Sequence, residues 1–220
     1  MNNTISILQS ELGQAIKDSL NMIVIAMILS IVIGGLIGLI LYLTSNSLFF
    51  KNKIVNSIAG IIVNIIRSLP FVILLVLLIP ITKIMVGTSI GPRAAAVPLS
   101  IASIAFFARL AEGAFNEVDR GVLEAAVASG AKLRLILTDV LIVEALPSLI
   151  RGITVTLVSL ISFSAMAGIV GGGGIGDLAI RYGYYRYETG VMIVTVIILV
   201  VVVQAIQFIG DGLARISSKR

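Results

Sequence analysis

Apolar residues in this chain gather into long uninterrupted runs, and those runs set out its elements. No charged residue occurs between Ser19 and Phe50. A secretory leader has an apolar core of about 7–15 residues behind a basic start. This run is longer and follows Lys17-Asp18, so it predicts an uncleaved span over about 19–44 after a polar, amphipathic lead-in, Met1 to Asp18. Gly34, Gly35 and Gly38 within it form a small-residue pattern that lets helices approach closely. A second apolar segment, Ile54 to Thr82, predicts a span over about 56–82 but is interrupted by Arg67-Ser68-Leu69-Pro70. Arginine is costly at the bilayer centre, so Arg67 lies near the interface or faces protein or a water-filled path. Pro70 removes a backbone donor and kinks or breaks the helix.

A short loop, Lys83 to Arg93, carries the turn formers Gly87, Gly91 and Pro92 and leads to a third span over about 94–114. The one sustained charged stretch follows, Arg109 to Arg151, with five basic and six acidic residues. Gly152 to Gly176 is again free of charge and predicts a fourth span, 152–172, ending in the run Gly171 to Gly174. Tyrosines 182, 184, 185 and 187 have the composition of an interfacial aromatic belt. The fifth span, 189–210, has 22 residues, enough for about 33 Å of helix against an apolar core of about 30 Å. The fold class expected is all-α: a single polytopic membrane domain over residues 1–220, with about five transmembrane helices and a polar loop at 115–150.

Composition supports this reading. Hydrophobic residues make up 58% of the 220 and charged ones only 12%, about half the share a soluble domain needs on its surface. Five spans place the two ends on opposite sides. With the N-terminus outside, inner loops and tail hold ten Lys and Arg (51, 53, 109, 120, 132, 134, 151, 215, 219 and 220) against five outside (17, 83, 93, 181 and 186), leaving Arg67 unassigned. The positive-inside rule therefore favours an outer N-terminus and a cytoplasmic C-terminus. The net charge of +5 is accounted for by those loops and not by nucleic-acid binding, since no basic patch interleaves with aromatics.

The chain has no cysteine, histidine or tryptophan. That excludes disulfides, Cys- or His-based metal sites and Cys- or His-dependent catalysis. Gly171, Gly173 and Gly176 satisfy G-x-G-x-x-G, but a dinucleotide fingerprint needs a preceding strand, and a membrane span precedes this one. A tight external turn or close helix approach is the better reading. No Gly-Lys dipeptide exists, hence no Walker A loop for ATP phosphates. Every Asp and Glu falls outside the apolar runs, which weighs against a proton relay and toward an ATPase on another chain.

Within the polar loop, Asp119 is placed to cap a short helix and Gly130 to end it in the left-handed conformation. Ala125, Ala126 and Ala128 make that helix slim enough for a partner's groove, although a solvated hairpin without a partner has the same composition. A second helix from Leu133 to about Leu146 would return the chain to the membrane at Pro147. In the fourth span Thr156, Ser159, Phe163 and Met166 recur at spacings of three and four. They form either one stripe lining a path, with thioether and ring suited to a hydrophobic amino acid, or a packing face with hydroxyls bonded back to the helix. Asn64 and Ser68 are further path candidates on the second span.

Glu124-Ala125-Ala126-x3-Gly130 is similar to the coupling-loop signature of binding-protein-dependent ABC importer permeases. Val140 and Ile142 continue the pattern, whereas Val143 stands where it has a proline. Pro147 follows in Glu144-Ala145-Leu146-Pro147, which resembles the methionine-uptake branch. So do Arg67-Ser68-Leu69-Pro70-Phe71, Ile79-Pro80, Val86 to Gly91, Ser164 to Gly168 with the glycine run, and Tyr182-Gly183-Tyr184. The similarity covers about residues 15–218.

That resemblance implies a type I importer permease fold. It assigns coupling to an ATPase to Glu124, Ala125, Ala126, Gly130, Ala131 and Leu133, and strengthens the lining role of Phe163 and Met166. It implies a bacterial inner-membrane homodimer working with two ATP-binding subunits, which hold ATP and Mg, and an external substrate-binding lipoprotein; this chain itself would carry no cofactor. The implied cargo is L-methionine, with the D form left open. The alternatives are a permease for another amino acid, an ion-coupled carrier working without an ATPase, and a membrane scaffold with no transport role. No catalytic constellation for an intramembrane enzyme is visible.

Overall fold

The first helix is much longer than the apolar run that predicts it. In the computed structural model, which describes residues 2–218, α1 (Asn2–Leu29) passes through a π-helical turn, Ser30–Gly34, into α2 (Gly35–Ser45) without a break. Its 43 residues from Asn3 to Ser45 correspond to about 65 Å of helix, more than twice the apolar thickness of a bilayer. The polar lead-in is thus part of the helix, which begins well before residue 19. Ile7, Leu8, Leu12 and Ala15 supply the cause, packing at helical spacing on Ile175, Leu178, Tyr182 and Val191. Met1, Lys219 and Arg220, the first residue of the lead-in and the last two of the basic tail, lie outside the described residues.

The interrupted second segment is a sharply bent pair of helices. α3 (Lys53–Ser68) starts on Asn52, whose side-chain oxygen accepts from the amides of Ile54 and Val55 at 3.1 Å. Leu69, held extended by the proline behind it (ψ 129°), ends it. α4 (Phe71–Leu77) leaves at 105° to α3. The expected break at Pro70 is present; a further helix, α5 (Ile79–Val86), ends at Gly87 (φ 82°) and contains Lys83, so the expected start of the loop at Lys83 is corrected.

α6 (Pro92–Asn116) is the most buried of the long helices and packs against α1, α2, α3 and α9. Ala26, Ser30, Gly34 and Gly38, each four residues from the next, turn one stripe of small residues toward it. A Cβ on Gly34 would lie 2.8 Å from the Ile104 carbonyl, and one on Gly38 2.6 Å from that of Ala108. At this close approach the Ser30 hydroxyl donates to the Ser103 carbonyl at 2.9 Å, and that of Ser103 to the Ala26 carbonyl at 3.3 Å. The glycine pattern of the first span therefore serves packing within the chain.

After α7 (Arg120–Ala128), a helical turn α8 (Leu133–Leu135), a π-helical turn Ile136–Leu141, α9 (Ile142–Ala167) and a 3-10 turn Gly168–Val170 form one helix of 38 residues. The expected separate helix 133–146 and span 152–172 are one element, and the polar connection is 117–132, shorter than 115–150. Pro147 sits inside this helix. The carbonyl it leaves without an amide partner belongs to Val143, four residues earlier, which is half exposed at 53%. Released on the surface, that carbonyl costs little.

The glycine run is a turn. Gly171, Gly173 and Gly174 have φ of 82°, 76° and 89°, values that L side chains rarely adopt. The chain then forms α10 (Gly174–Leu178), a π-helical turn Ala179–Tyr184 and α11 (Thr189–Ser217), which runs seven residues beyond the expected end at 210. Tyr184, Tyr185 and Tyr187 are exposed as an aromatic belt would be. Tyr182 is buried beneath the guanidinium groups of Arg181 and Arg186, 5.0 and 4.7 Å from its ring centre.

Candidate functional site

The polar connection between α6 and α9 is built to present α7. Asp119 accepts from the Gly121 amide at 2.6 Å, capping the helix, and Gly130 (φ 76°) closes it. Leu123 is 1% exposed and reaches into a cluster of Tyr42, Phe115, Ile136, Leu141 and Ala145. Ala126, Ala131 and Val118 pack against the same cluster. The opposite face carries Gly121, Glu124, Ala125 and Ala128, all exposed, flanked by Val122 and Val127 at 42% and 43%.

The six residues expected to meet an ATPase thus divide. Glu124, Ala125, Gly130 and Leu133 are exposed, whereas Ala126 and Ala131 turn inward and hold the helix on the bundle. Val122 and Val127 belong to the exposed face and were absent from that expectation; their place one residue to either side of the Leu123–Ala126 pair is the signal for them. Glu124 pairs with Arg120 at 2.8 Å, both well exposed, a contact worth at most about 0.5 kcal/mol.

A cavity of about 230 Å³ lies where α3 breaks into α4, lined by Arg67, Leu69, Phe71, Leu74, Phe106 and Phe163 among others. Phe71 and Phe163 stack with ring centres 4.7 Å apart at 15°. Of the expected stripe on α9, Phe163 alone lines this cavity. Thr156 is fully buried and donates to the Gly152 carbonyl at 2.7 Å, the packing alternative. Ser159 donates to the Val155 carbonyl at 2.9 Å and borders a separate cavity of about 480 Å³ with Arg151, Gln207 and Asp211. Met166 is 41% exposed and lines neither.

Asn64 and Ser68 serve a tie between α3 and α6. Arg109 donates to Asn64 Oδ1 and to the Gly60 carbonyl, both at 3.1 Å, and pairs with Glu112 at 2.6 Å. The Ser68 hydroxyl donates to the Asn64 carbonyl at 2.7 Å. Arg67, expected to face protein or a water-filled path, lines the cavity with Phe71 and Phe106, none of which was among the path candidates. The signal for them is a cation and a proline three residues apart inside an apolar run.

The family described as "Binding-protein-dependent transport system inner membrane component" matches residues 30–220. The chain is 50% identical over 198 residues to the "Probable D-methionine transport system permease protein MetI" of Vibrio cholerae, covering 90% of this chain and 88% of that protein. It is 48% identical over 181 residues to the methionine import system permease protein MetP of Bacillus subtilis, 82% of each. A solved structure of the MetNI methionine ABC transporter in inward-facing conformations contains a chain with TM-score 0.89 and 41% identity, with 94% of this chain and 95% of that one covered. An amino acid ABC transporter crystallised with histidines shares the fold at TM-score 0.75 and 20% identity, 92% of each chain.

Proposed function

This chain belongs to the family of binding-protein-dependent transport system inner membrane components, and from that premise we propose that it is the membrane-spanning permease subunit of an ABC importer for methionine. The observation that carries the substrate is the 50% and 48% identity to permeases named for methionine, over more than four fifths of each chain. The chain is a conduit and not an enzyme. ATP and Mg belong to a separate ATPase subunit, two copies of which work with two copies of this chain, and an external binding lipoprotein delivers the substrate.

Five crossings by α1–α2, the bent pair α3–α4, α6, α8–α9 and α11 set the two ends on opposite sides of the bacterial inner membrane, and the excess of Lys and Arg in the inner loops and tail supports an outer N-terminus and a cytoplasmic C-terminus, with lipid around the apolar faces. Four of these helices are long and apolar enough to cross by themselves, and the bent pair makes the fifth. This orientation puts the exposed face of α7 on the cytoplasmic side, where Glu124, Ala125, Gly130 and Leu133 meet the ATPase. Closure of the ATPase pair on ATP pulls α7, and through Leu123 the bundle, from inward-facing to outward-facing. Methionine enters from the binding protein, and hydrolysis resets the dimer.

The test is uptake of labelled methionine into proteoliposomes holding this chain, its ATPase and its binding protein, with and without internal ATP. Accumulation requires ATP and is abolished by Glu124→Arg. That substitution removes the pair with Arg120 and places like charges at positions 120 and 124, costing the helix at most about 1 kcal/mol in all, so the loss reports the docking face. Uptake of another solute instead of methionine would discard the substrate, and accumulation without ATP would discard the coupling.

A further inference from the structure

Arg67 has no acidic partner. Among the described residues the ion pairs are Arg109–Glu112, Arg120–Glu124, Arg181–Glu11 and Arg181–Asp177, and none includes it. No hydrogen bond of its side chain is present either, and its one aromatic contact is the Phe106 ring, 6.0 Å from the guanidinium carbon. Fourteen residues of helix separate Lys53 from Arg67, about 21 Å of rise. In the five-crossing reading that sets Arg67, exposed on the single chain, inside the apolar zone, where a cation faces protein or a water-filled path and pairs with an anion or with backbone carbonyls.

The surroundings within the chain supply no fixed counter-charge. Arg67 lines the cavity at the break of the second span, and no carboxylate lines it. The same cavity is lined by the stacked pair Phe71–Phe163, with Leu74 and Ala102. The cavity therefore has one cationic end, with a planar fork of donors matched to a carboxylate. The rest of it is an aromatic and aliphatic wall, suited to an apolar or thioether side chain. A methionine zwitterion has this polarity: a carboxylate at one end and a soft apolar chain at the other.

We propose that Arg67 binds the α-carboxylate of the transported amino acid, while Phe71 and Phe163 receive its side chain. The proposal rests on the reading of this chain as an amino-acid permease. It assigns recognition to the break of the second span and not to the α9 stripe as a whole. Thr156 and Met166 then take no part in it.

The experiment is labelled-methionine uptake by the full transporter in proteoliposomes, at saturating binding protein, alongside ATP hydrolysis stimulated by that protein. Arg67→Gln is expected to lower uptake about 10–100-fold, the usual range for losing a charge-assisted hydrogen bond to a ligand, while stimulated hydrolysis stays within about twofold of wild type. Arg67→Lys, which keeps the charge and loses the fork, recovers part of the uptake. Should Arg67→Gln fail to assemble, Arg67→Met keeps the apolar stem against Phe106 and carries the same expectation. Unchanged uptake in these variants would overturn the proposal, as would an equal fall in uptake and hydrolysis, which marks a structural prop. An Arg67→Gln effect seen only in vesicles rich in anionic lipid would assign Arg67 to a headgroup phosphate and overturn it too. Failure of the wild-type transporter to move methionine while it moves another amino acid would sink the substrate assignment alone, and the same variants would then be read with that amino acid.

Discussion

Leu123 is the one fully buried side chain of α7, so the hold of this helix on the bundle should respond sharply to its truncation. Leu123→Ala removes three carbons from a position 1% exposed, among Tyr42, Phe115, Ile136, Leu141 and Ala145. Buried Leu→Ala changes cost about 2–5 kcal/mol, depending on how far the site collapses. Here the aromatic rings and the ordered start of the α8–α9 helix limit collapse. Even the lower bound of about 2 kcal/mol lowers the ratio of docked to undocked α7 about 30-fold. Hydrogen exchange on the assembled transporter reads this directly, since amides that exchange by local opening follow the open population. The Ser129 and Gly130 amides, which close the end of α7 on the Ala125 and Val127 carbonyls, should exchange about 30-fold faster or more, while those of α6 keep their wild-type rates. ATP hydrolysis should continue and methionine moved per ATP should fall. Val122→Ala on the exposed flank is the control, with exchange near wild type. Unaltered exchange in α7 together with wild-type transport per ATP would refute the claim that Leu123 transmits the motion.

Two further outcomes follow from the same geometry. Gly38→Val drives a Cβ to about 2.6 Å from the Ala108 carbonyl, so the helices must separate; the purified transporter should lose thermal stability and yield, whereas Gly13→Ala, with nothing within 4 Å of its Cβ, should not. Asp119→Ala removes the cap of α7 at a cost of about 1 kcal/mol; transport per ATP should fall a few-fold and recover with Asp119→Asn, measured in the uptake assay.

Much of this architecture is legible in the order of residues, and the parts that are not have physical reasons. Charge-free runs locate the spans because lipid tolerates little else. Asp119 and Gly130 bracket α7 because both act locally, one through its side chain and the other through its φ. The helix from Leu133 was legible, but its continuity to Val170 was hidden by Pro147 and Arg151, which read as the boundary of a separate span; on a helix long enough to leave the membrane, charges and a proline on exposed turns are tolerated. The start of α1 was hidden likewise, since its apolar partners on α10 and α11 are about 170 residues away in the chain. Spacing put Thr156, Ser159, Phe163 and Met166 within one angular sector of α9. It did not say that α4 and α6 would border one edge of that sector and α11 the other, so the four separate into buried, cavity-lining and exposed positions. The break at Arg67–Pro70 was readable as a break, but its 105° angle depends on where Phe71, Leu74 and Leu75 find burial.

The three π-helical turns, at Ser30–Gly34, Ile136–Leu141 and Ala179–Tyr184, make the chain a phased device. A π turn is an α-helix with one residue inserted, and one residue is about 100° of rotation. Between the end of the polar connection and Phe163, the turn at Ile136–Leu141 sets the angle at which α7's anchor and the cavity wall view each other along one continuous helix. Deleting a single residue there would leave every side chain in place by identity and swing the whole of α9 by more than a quarter turn relative to α7. Substitutions along this helix are negotiable, whereas its residue count is not.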